Sequence, residues 1–189
     1  MVSALNHKSQ PLMSRKKCIF GNKRDKPRMT IRSAHTNDLP DIMAVLAAAK
    51  EIMRSSGNAG QWVDGYPSET VIQADIKNGY GFVVETGKII GYFAFIPSPE
   101  PTYSYIEGGS WLNDEPYHVV HRIGSYPEVH GVFKAIMDWC FSQDQNIRID
   151  THKDNRIMQH CITKYGFTYC GIIYLLSGDQ RLAYQKISI

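Results

Sequence analysis

The chain has 189 residues, 43% of them apolar and 21% charged, which suits one globular domain with a buried core. No apolar run approaches the roughly 18 residues of a membrane-spanning helix, and the N-terminus lacks the apolar segment of a secretory signal. The net charge of +3 is uneven: residues 1–28 hold eight Lys/Arg and one Asp, and the rest thirteen Lys/Arg and seventeen Asp/Glu, which disfavours nucleic-acid binding by the main domain.

Residues 1–28 are polar, basic and without periodicity, and we interpret them as a disordered leader before a domain of residues 29–189. A strand-like run follows Met29 at once, so we expect Met29 to be the natural start and the leader to be dispensable. A transit peptide or a nucleic-acid-binding arm is the alternative. The four cysteines form no CxxC pair, and we interpret them as reduced thiols of a cytoplasmic protein.

The first part of the domain predicts a strand, two helices and a hairpin. Apolar residues at helical spacing follow the short strand, with aspartates in the first helical turn, where negative charge is favoured. A loop containing Trp62 and Tyr66 then leads to a second helix. We predict the strand Thr30–Ala34, a helix ending near Ser55, a helix from the cap Ser68 to Asn78, and the hairpin strands Gly81–Glu85 and Lys88–Ile96.

The second part begins with a proline-rich segment and then mixes strands with helices. Prolines at positions 97, 99 and 101 interrupt the chain. We predict the strands Tyr103–Glu107, Tyr117–Gly124, Ile147–Asp150, Phe167–Leu175 and Arg181–Lys186, and the helices Gly131–Ser142 and Asn155–Tyr165. The hairpins argue against a doubly wound nucleotide-binding fold, in which strands and helices alternate throughout.

The helix Asn155–Tyr165 carries the clearest motif. Asn155 follows a short strand, and Gly166-Phe167 comes eleven residues later, where the helix ends and the next strand begins. Glycine is favoured at a helix C-terminus because it adopts left-handed backbone without a side-chain clash. This motif and the element order resemble the GNAT superfamily of acetyl-CoA-dependent N-acetyltransferases over nearly all of the chain after the leader.

The resemblance implies an α/β (α+β) fold, with a mixed, mostly antiparallel sheet of six to seven strands flanked by about four helices. It also implies acetyl-CoA as co-substrate, no metal, and acetyl transfer to a primary amine by direct attack. The family's asparagine, here Asn155, contacts the pantetheine arm. Ile162 replaces the tyrosine that protonates the leaving thiolate in many members, and Tyr165, about 60° away around the helix, is the candidate substitute.

The family's pyrophosphate loop is matched by the window from Glu128 to Phe133. Phosphates are held by unpaired backbone N–H groups at a helix N-terminus. Only the central glycine of the pattern is retained, while Glu128 brings negative charge and Phe133 brings bulk, so a helix start without a ligand is the alternative. By resemblance, the candidate cofactor-binding residues are Ile123, Val129, His130, Gly131, Val132, Phe133, Lys134 and Asn155.

The strand before this loop supplies the candidate catalytic residues. Strand alternation predicts Tyr117, Val119, His121 and Ile123 on one face, and His118, Val120 and Arg122 on the other. By resemblance, the first face carries the general base. His121 is the candidate because imidazole suits proton removal from an ammonium, and Tyr117 is a second candidate on that face. A backbone N–H near Ile123 would polarise the thioester carbonyl. The alternative for His121 is a satisfied buried histidine.

Aromatic residues and one carboxylate mark the segments that form the acceptor site in this family. Trp62, Tyr66, Glu107 and Trp111 are the candidates, and they would suit an amine with an apolar or cationic body. The alternative is a tryptophan that closes one end of the sheet. We expect no metal, because histidines three residues apart on a strand point to opposite faces.

We therefore predict an N-acetyltransferase that acts on a small-molecule or peptide amine, as a monomer or homodimer. One alternative is a non-catalytic GNAT-like module that binds CoA or another ligand as a sensor, which the altered loop and the missing tyrosine motivate. The other is a nucleic-acid-associated protein that acts through the basic leader, against which the acidic main domain argues.

Overall fold

The computed structural model describes residue 1 and residues 28–188, so the predicted leader lies almost entirely outside the described residues. The described strands form one sheet in the order β1-β2-β3-β4-β5-β7-β6, with β4 and β5 parallel and all other neighbours antiparallel. They are β1 (Thr30–Ser33), β2 (Gly81–Glu85), β3 (Ile89–Pro97), β4 (His118–Ser125), β5 (Asn146–Thr151), β6 (Thr168–Tyr174) and β7 (Gln180–Ile187).

Among the described residues, four α-helices flank the sheet: α1 (Leu39–Ser55), α2 (Glu69–Lys77), α3 (Val132–Gln143) and α4 (Arg156–Tyr165). Ser68 caps α2 by accepting a hydrogen bond from the N–H of Val71, and Gly166 ends α4 in left-handed backbone. The predicted fold class, with a mixed sheet of six to seven strands and about four helices, is confirmed.

The helices form a layer on each face of the sheet. Neighbouring residues on β2 and β3 belong to different cores because a strand alternates its faces. Val83 and Tyr92 pack with α1 and α2, whereas Val84 and Phe93 pack with α3 and α4. All four side chains are fully buried, so the sheet is the central layer of the domain.

The predicted strand Tyr103–Glu107 is wrong. Pro101–Tyr103 forms a 3-10 turn instead, and Glu107 makes a single isolated bridge with Ile172. Pro101 occupies the first position of this turn, where its fixed φ and missing N–H are tolerated, so the chain turns at Tyr103 instead of beginning a strand there. Its anchor is the buried ring of Tyr103, which packs with Val119 and Ile173 against the sheet.

Cys140, Cys161 and Cys170 are free thiols, and Cys18 lies outside the described residues. Among the helices of the described part of the chain, none is long and apolar enough to cross a membrane.

Candidate active site

The parallel neighbours β4 and β5 separate soon after they begin. Their ladder has two pairs, His118–Ile147 and Val119–Arg148. Beyond these pairs a cleft of about 510 Å³ opens, with walls from both strands, the α1–α2 loop, the segment before β4, the start of α4 and the β6–β7 turn. Segments distant in sequence thus share one concave surface, the usual form of a small-molecule site.

Some predicted site residues line this cleft and others do not. Trp62 is buried and lies close to Gly124 of β4, whereas Tyr66 is 38% exposed. The predicted residues that line the cleft are Trp62, Tyr66, His121, Ile123 and Asn155. The predicted residues outside its lining are Glu107, Trp111, Tyr117, Val129, His130, Gly131, Val132, Phe133, Lys134 and Tyr165.

His121 lies between two carboxylates that also line the cleft. Its Nε2 is 3.3 Å from Oε2 of Glu100, and its Nδ1 is 3.7 Å from Oδ2 of Asp150. The first distance is a hydrogen bond and the second is too long for one. The geometry therefore favours the tautomer with a proton on Nε2, which leaves the Nδ1 lone pair facing Asp150 across a gap.

The two carboxylates are themselves held in place. Glu100 accepts hydrogen bonds from the backbone N–H and the hydroxyl of Thr102, and Asp150 accepts one from the Tyr103 hydroxyl at 2.8 Å. The hydrogen bond with His121, together with those from Thr102, lowers the pKa of Glu100 to about 2 against the opposing effect of burial. Burial and the Asp150 carboxylate raise the pKa of Tyr103 well above its usual value, so Tyr103 stays a donor.

A bulge in β4 places Arg122 in the cleft wall. Two residues of β4, Arg122 and Ile123, lie opposite one residue of β3, and Arg122 has left-handed backbone with φ 55°. The Arg122 side chain therefore points towards α2, and Ile123 packs with the α3 and α4 core. Strand alternation places Arg122 and Ile123 each on the other face of the sheet, so the face prediction is wrong for these two residues.

Arg122 and Asp75 form a buried ion pair beside the cleft. Two nitrogens of the guanidinium donate to the Asp75 carboxylate at 2.8 and 2.7 Å, and the side chains are only 10% and 7% exposed. A third donates to the Tyr66 hydroxyl at 3.1 Å, and the Tyr92 hydroxyl donates to Asp75. The network ties the α1–α2 loop and α2 to the bulge.

The N-terminus of α3 follows β4 after the loop of residues 126–131. Gly131 precedes the helix in left-handed backbone, and a Cβ there would meet nothing within 4 Å. Among the described residues, none accepts a hydrogen bond from the backbone N–H groups of Val132, Phe133 and Lys134. These donors are available to an anion, as at other helix N-termini.

The side chains of Val132, Phe133 and Lys134 are each buried or engaged with a neighbour on α3 or α4. Phe133 packs edge-on against Tyr165, Val132 is buried, and Lys134 pairs with Asp138 at 2.6 Å. Val129 packs at the edge of the α3 core, and the side chains of Glu128 and His130 are exposed to solvent. The Phe133 side chain thus packs between α3 and α4.

Asn155 has a structural role in this conformation. Its Oδ1 accepts the N–H of Met158 at 3.0 Å, which caps α4. Its Nδ2 donates to Oε1 of Gln61 at 2.7 Å and approaches the Met53 sulfur at 3.8 Å. The side chain lines the cleft, but both of its N–H groups are engaged.

Tyr165 lies between α3 and α4, and its hydroxyl donates to Asp138 at 2.9 Å. Its ring stacks on Phe141, with centroids 5.9 Å apart. Burial and the hydrogen bond to Asp138 raise the pKa of Tyr165 above its usual value. A hydroxyl engaged in this way outside the cleft is poorly placed to protonate a thiolate.

Tyr117, Trp111 and Glu107 lie outside the lining of the cleft. The guanidinium of Arg148 lies 3.8 Å from the Tyr117 ring centroid and 4.1 Å from that of Trp111. The Tyr117 hydroxyl accepts the backbone N–H of Glu100 at 3.3 Å. Glu107 is exposed and bonds to a tyrosine hydroxyl of β6. Tyr117 thus contacts Glu100 directly, and Trp111 donates a hydrogen bond to the backbone carbonyl of Tyr103 at 3.0 Å.

Sequence reasoning missed Glu100 and Asp150. Glu100 lies in the proline-rich segment, where no periodicity marks it. Asp150 gave a usable signal, because it stands near the carboxyl end of a strand that has a parallel neighbour, and ligands bind at that end. Among the described residues, no group of three His, Cys, Asp or Glu side chains is arranged to hold a metal ion.

Comparisons with known proteins agree with the fold and with the family that the sequence resembles. A family model for an acetyltransferase (GNAT) domain matches residues 28–168. The crystal structure of a GNAT-family acetyltransferase from Streptococcus agalactiae is 36% identical, with a TM-score of 0.78 over 85% of this chain and 96% of its own. The chain belongs to the GNAT acetyltransferase family.

Other GNAT structures share the fold at lower identity. A GNAT-family acetyltransferase from Listeria monocytogenes is 20% identical, with a TM-score of 0.64 over 85% of this chain and 95% of its own. One from Bacillus cereus is 18% identical, with a TM-score of 0.56 over 86% and 99%. No curated protein sequence matches the chain. Membership of the GNAT family identifies the protein as an acyltransferase. Its cleft lies where β4 and β5 separate.

Proposed function

We propose that this GNAT protein transfers an acetyl group from acetyl-CoA to a primary amine by direct attack in a ternary complex. The observation that carries the proposal is His121, which lines the cleft between Glu100 and Asp150 with one ring nitrogen free of a hydrogen bond. A neutral imidazole held in one tautomer suits the removal of a proton from the ammonium of the acceptor, which frees the amine lone pair for attack.

The residues around the cleft fit acetyl-CoA. The free N–H groups of Val132, Phe133 and Lys134 would hold the pyrophosphate. Apolar side chains from β4, β5 and α4 line the cleft and would enclose the pantetheine arm; they are Val120, Ile123, Ile149 and Met158. When bound, acetyl-CoA supplies the acetyl thioester. The exposed Glu128 weakens this fit without filling the site.

His121, Glu100 and Asp150 then each have a separate role. His121 accepts the proton of the amine at Nδ1, while Glu100 keeps the opposite nitrogen protonated and the ring oriented. Asp150 faces Nδ1 at 3.7 Å and stabilises the imidazolium that results. A backbone N–H near Ile123 polarises the thioester carbonyl. The group that protonates the leaving thiolate is unassigned.

The acceptor is proposed to be a small-molecule or peptide amine that enters past Trp62 and Tyr66. Four carboxylates line the cleft, those of Asp64, Glu100, Asp150 and Asp179. Two guanidinium groups also line the cleft: that of Arg122 is already paired with Asp75, and that of Arg181 donates to the backbone carbonyl of Gln180. The acidic side chains of the lining therefore outnumber the basic ones. This balance favours an acceptor that arrives as a cation. A cytoplasmic location and a monomer or homodimer remain predictions.

The test is calorimetric titration with acetyl-CoA, followed by turnover measurements on a panel of primary amines. We expect acetyl-CoA to bind and at least one amine to be acetylated. His121→Ala should lower kcat by roughly a factor of 10² to 10⁴ and leave the acetyl-CoA affinity unchanged, because the imidazole acts on the amine.

The matched control is His118→Gln. His118 lies on the same strand but its ring stacks on Phe95, and it pairs with Asp144. This variant should keep wild-type kcat. Full turnover by His121→Ala with every active amine would remove His121 as the base. Binding of acetyl-CoA without turnover of any amine would favour the non-catalytic sensor.

A further inference from the structure

Three carboxamide side chains meet at one end of the cleft. Oε1 of Gln61 accepts a hydrogen bond from Nδ2 of Asn58 at 2.8 Å and from Nδ2 of Asn155 at 2.7 Å. Both asparagines are buried, whereas Gln61 is partly exposed and lines the cleft. The cluster joins the α1–α2 loop to the start of α4.

The orientation of the Gln61 amide follows from the helix cap. The backbone N–H of Met158 requires an acceptor, so Asn155 must present its oxygen there and its NH₂ group to Gln61. Gln61 must therefore turn its oxygen towards Asn155 and its own NH₂ group away. Among the described residues, none accepts a hydrogen bond from this NH₂ group. The group is not buried, because the buried side-chain atoms without a partner do not include it. Its N–H groups are accordingly open to the cleft.

We propose that Gln61 donates a hydrogen bond to an amide carbonyl of the pantetheine arm and so takes over the contact that the family resemblance assigns to Asn155. The inference rests on the proposed function. The adjacent cleft wall is apolar, with Val120, Ile149 and Met158, so an amide carbonyl enclosed there needs a donor. Asn155 has no free N–H to offer, and Gln61 does.

This assignment links the two substrates. Gln61 directly precedes Trp62 in the α1–α2 loop, and the same loop carries Tyr66. A hydrogen bond from Gln61 to the donor arm would fix the loop that forms the acceptor side of the cleft. Gln61 is therefore a binding residue for the donor that also positions the acceptor wall.

The decisive variant is Gln61→Glu. A glutamate can still accept hydrogen bonds from Asn58 and Asn155, so the cluster and the α4 cap persist, but it has no N–H to donate. Gln61→Leu removes both functions and guards against an effect of the added charge. Gln73→Glu introduces the same charge at an exposed position of α2, outside the lining of the cleft.

The measurement is calorimetric titration of each protein with CoA and with 3′-phosphoadenosine 5′-diphosphate, which is CoA without its pantetheine arm. Thermal unfolding verifies that each variant is folded. We expect both Gln61 variants to bind CoA about tenfold more weakly and to bind the nucleotide as the wild type does. Gln73→Glu should match the wild type with both ligands.

Wild-type affinity for CoA in both Gln61 variants would overturn the assignment and leave the proposed function intact. An equal loss of CoA and nucleotide affinity would also overturn it, because the effect would not be at the arm. A wild-type protein that binds neither ligand would instead refute the proposed function, and the Gln61 assignment with it.

Discussion

Around His121, two carboxylates of the same charge have different environments. Glu100 is within hydrogen-bond distance of the ring and is held by Thr102, whereas Asp150 is farther from the ring and is held by Tyr103. Glu100 therefore orients the imidazole ring, whereas Asp150 faces the ring nitrogen that has no hydrogen bond. Loss of the Glu100 carboxylate should disturb the orientation of the ring more than loss of the Asp150 carboxylate.

The depressed pKa of Glu100 gives a prediction for stability against pH. Because its pKa falls from 4.5 to about 2 on folding, its ionised form stabilises the folded state above pH 4.5. This contribution is lost as the pH falls from about 4.5 towards 2. The free energy of unfolding in urea should therefore be higher for the wild type than for Glu100→Gln at neutral pH, and the difference should shrink across that range.

Glu51→Gln is the control for an exposed carboxylate on α1. The difference in unfolding free energy between the wild type and Glu51→Gln should not shrink in the same way across this pH range. If the difference between wild type and Glu100→Gln stayed constant down to about pH 2, the interaction with His121 would not account for the pKa of Glu100.

At the scale of a single strand, the bulge in β4 produces a buried ion pair. Arg122→Ala should destabilise the protein by about 3–5 kcal/mol, because it leaves the Asp75 carboxylate buried without its cation. Urea denaturation measures the effect. The double variant with Asp75→Ala should lose less than the sum of the single losses, since the two side chains interact directly.

An exposed ion pair supplies the comparison. Arg32 pairs with Asp38 while 36% exposed, so Arg32→Ala should cost only about 1 kcal/mol or less. Strictly additive losses at Arg122 and Asp75 would show that their contact contributes nothing to stability.

The N-terminus of α3 gives a second prediction at the element scale. Glu128 is exposed just before this helix and opposes the anion-binding character of its free N–H groups. Glu128→Gln should raise the affinity for CoA by about two- to fivefold at low salt, and the gain should fade as salt screens the charge. Calorimetry at two salt concentrations measures it, with Glu69→Gln on the opposite layer as control. An unchanged affinity would place the pyrophosphate elsewhere.

For the whole molecule, the described part of the chain supplies walls on every side of the cleft that we describe. Among the described residues, those that line the cleft fall between Met53 and Arg181, and the first that pack against the core are Met29 and Ile31. A chain that begins at Met29 should therefore bind acetyl-CoA with the affinity of the full chain and unfold at a similar temperature. Calorimetry and thermal unfolding test this.

The same truncation tests the rival function. Binding of nucleic acid that is steeply salt-dependent and disappears with the leader would support the nucleic-acid-associated alternative. Loss of acetyl-CoA binding on truncation would contradict the view that the cleft is self-sufficient.

Much of the architecture could be predicted from local signals. Helical periodicity, the Ser68 cap and the Gly166 C-terminus placed α2 and α4 within a residue or two of their observed ends. The motif from Asn155 to Phe167 indicated the family. The prediction of a strand at Tyr103–Glu107 was wrong because the position of its β-favouring residues is set by the tertiary packing of Tyr103, which no local sequence pattern indicates.

Local sequence patterns were enough to predict the helices, the strands other than Tyr103–Glu107, the family and His121 as the candidate base, because these depend on periodicity, caps and motifs within short windows. The tertiary structure alone decided which residues share the cleft. The bulge reversed the faces of Arg122 and Ile123, and folding brought Glu100 and Asp150 to His121. These contacts join segments separated by tens of residues, and their geometry depends on strand register and ladder breaks, which side-chain pattern does not encode.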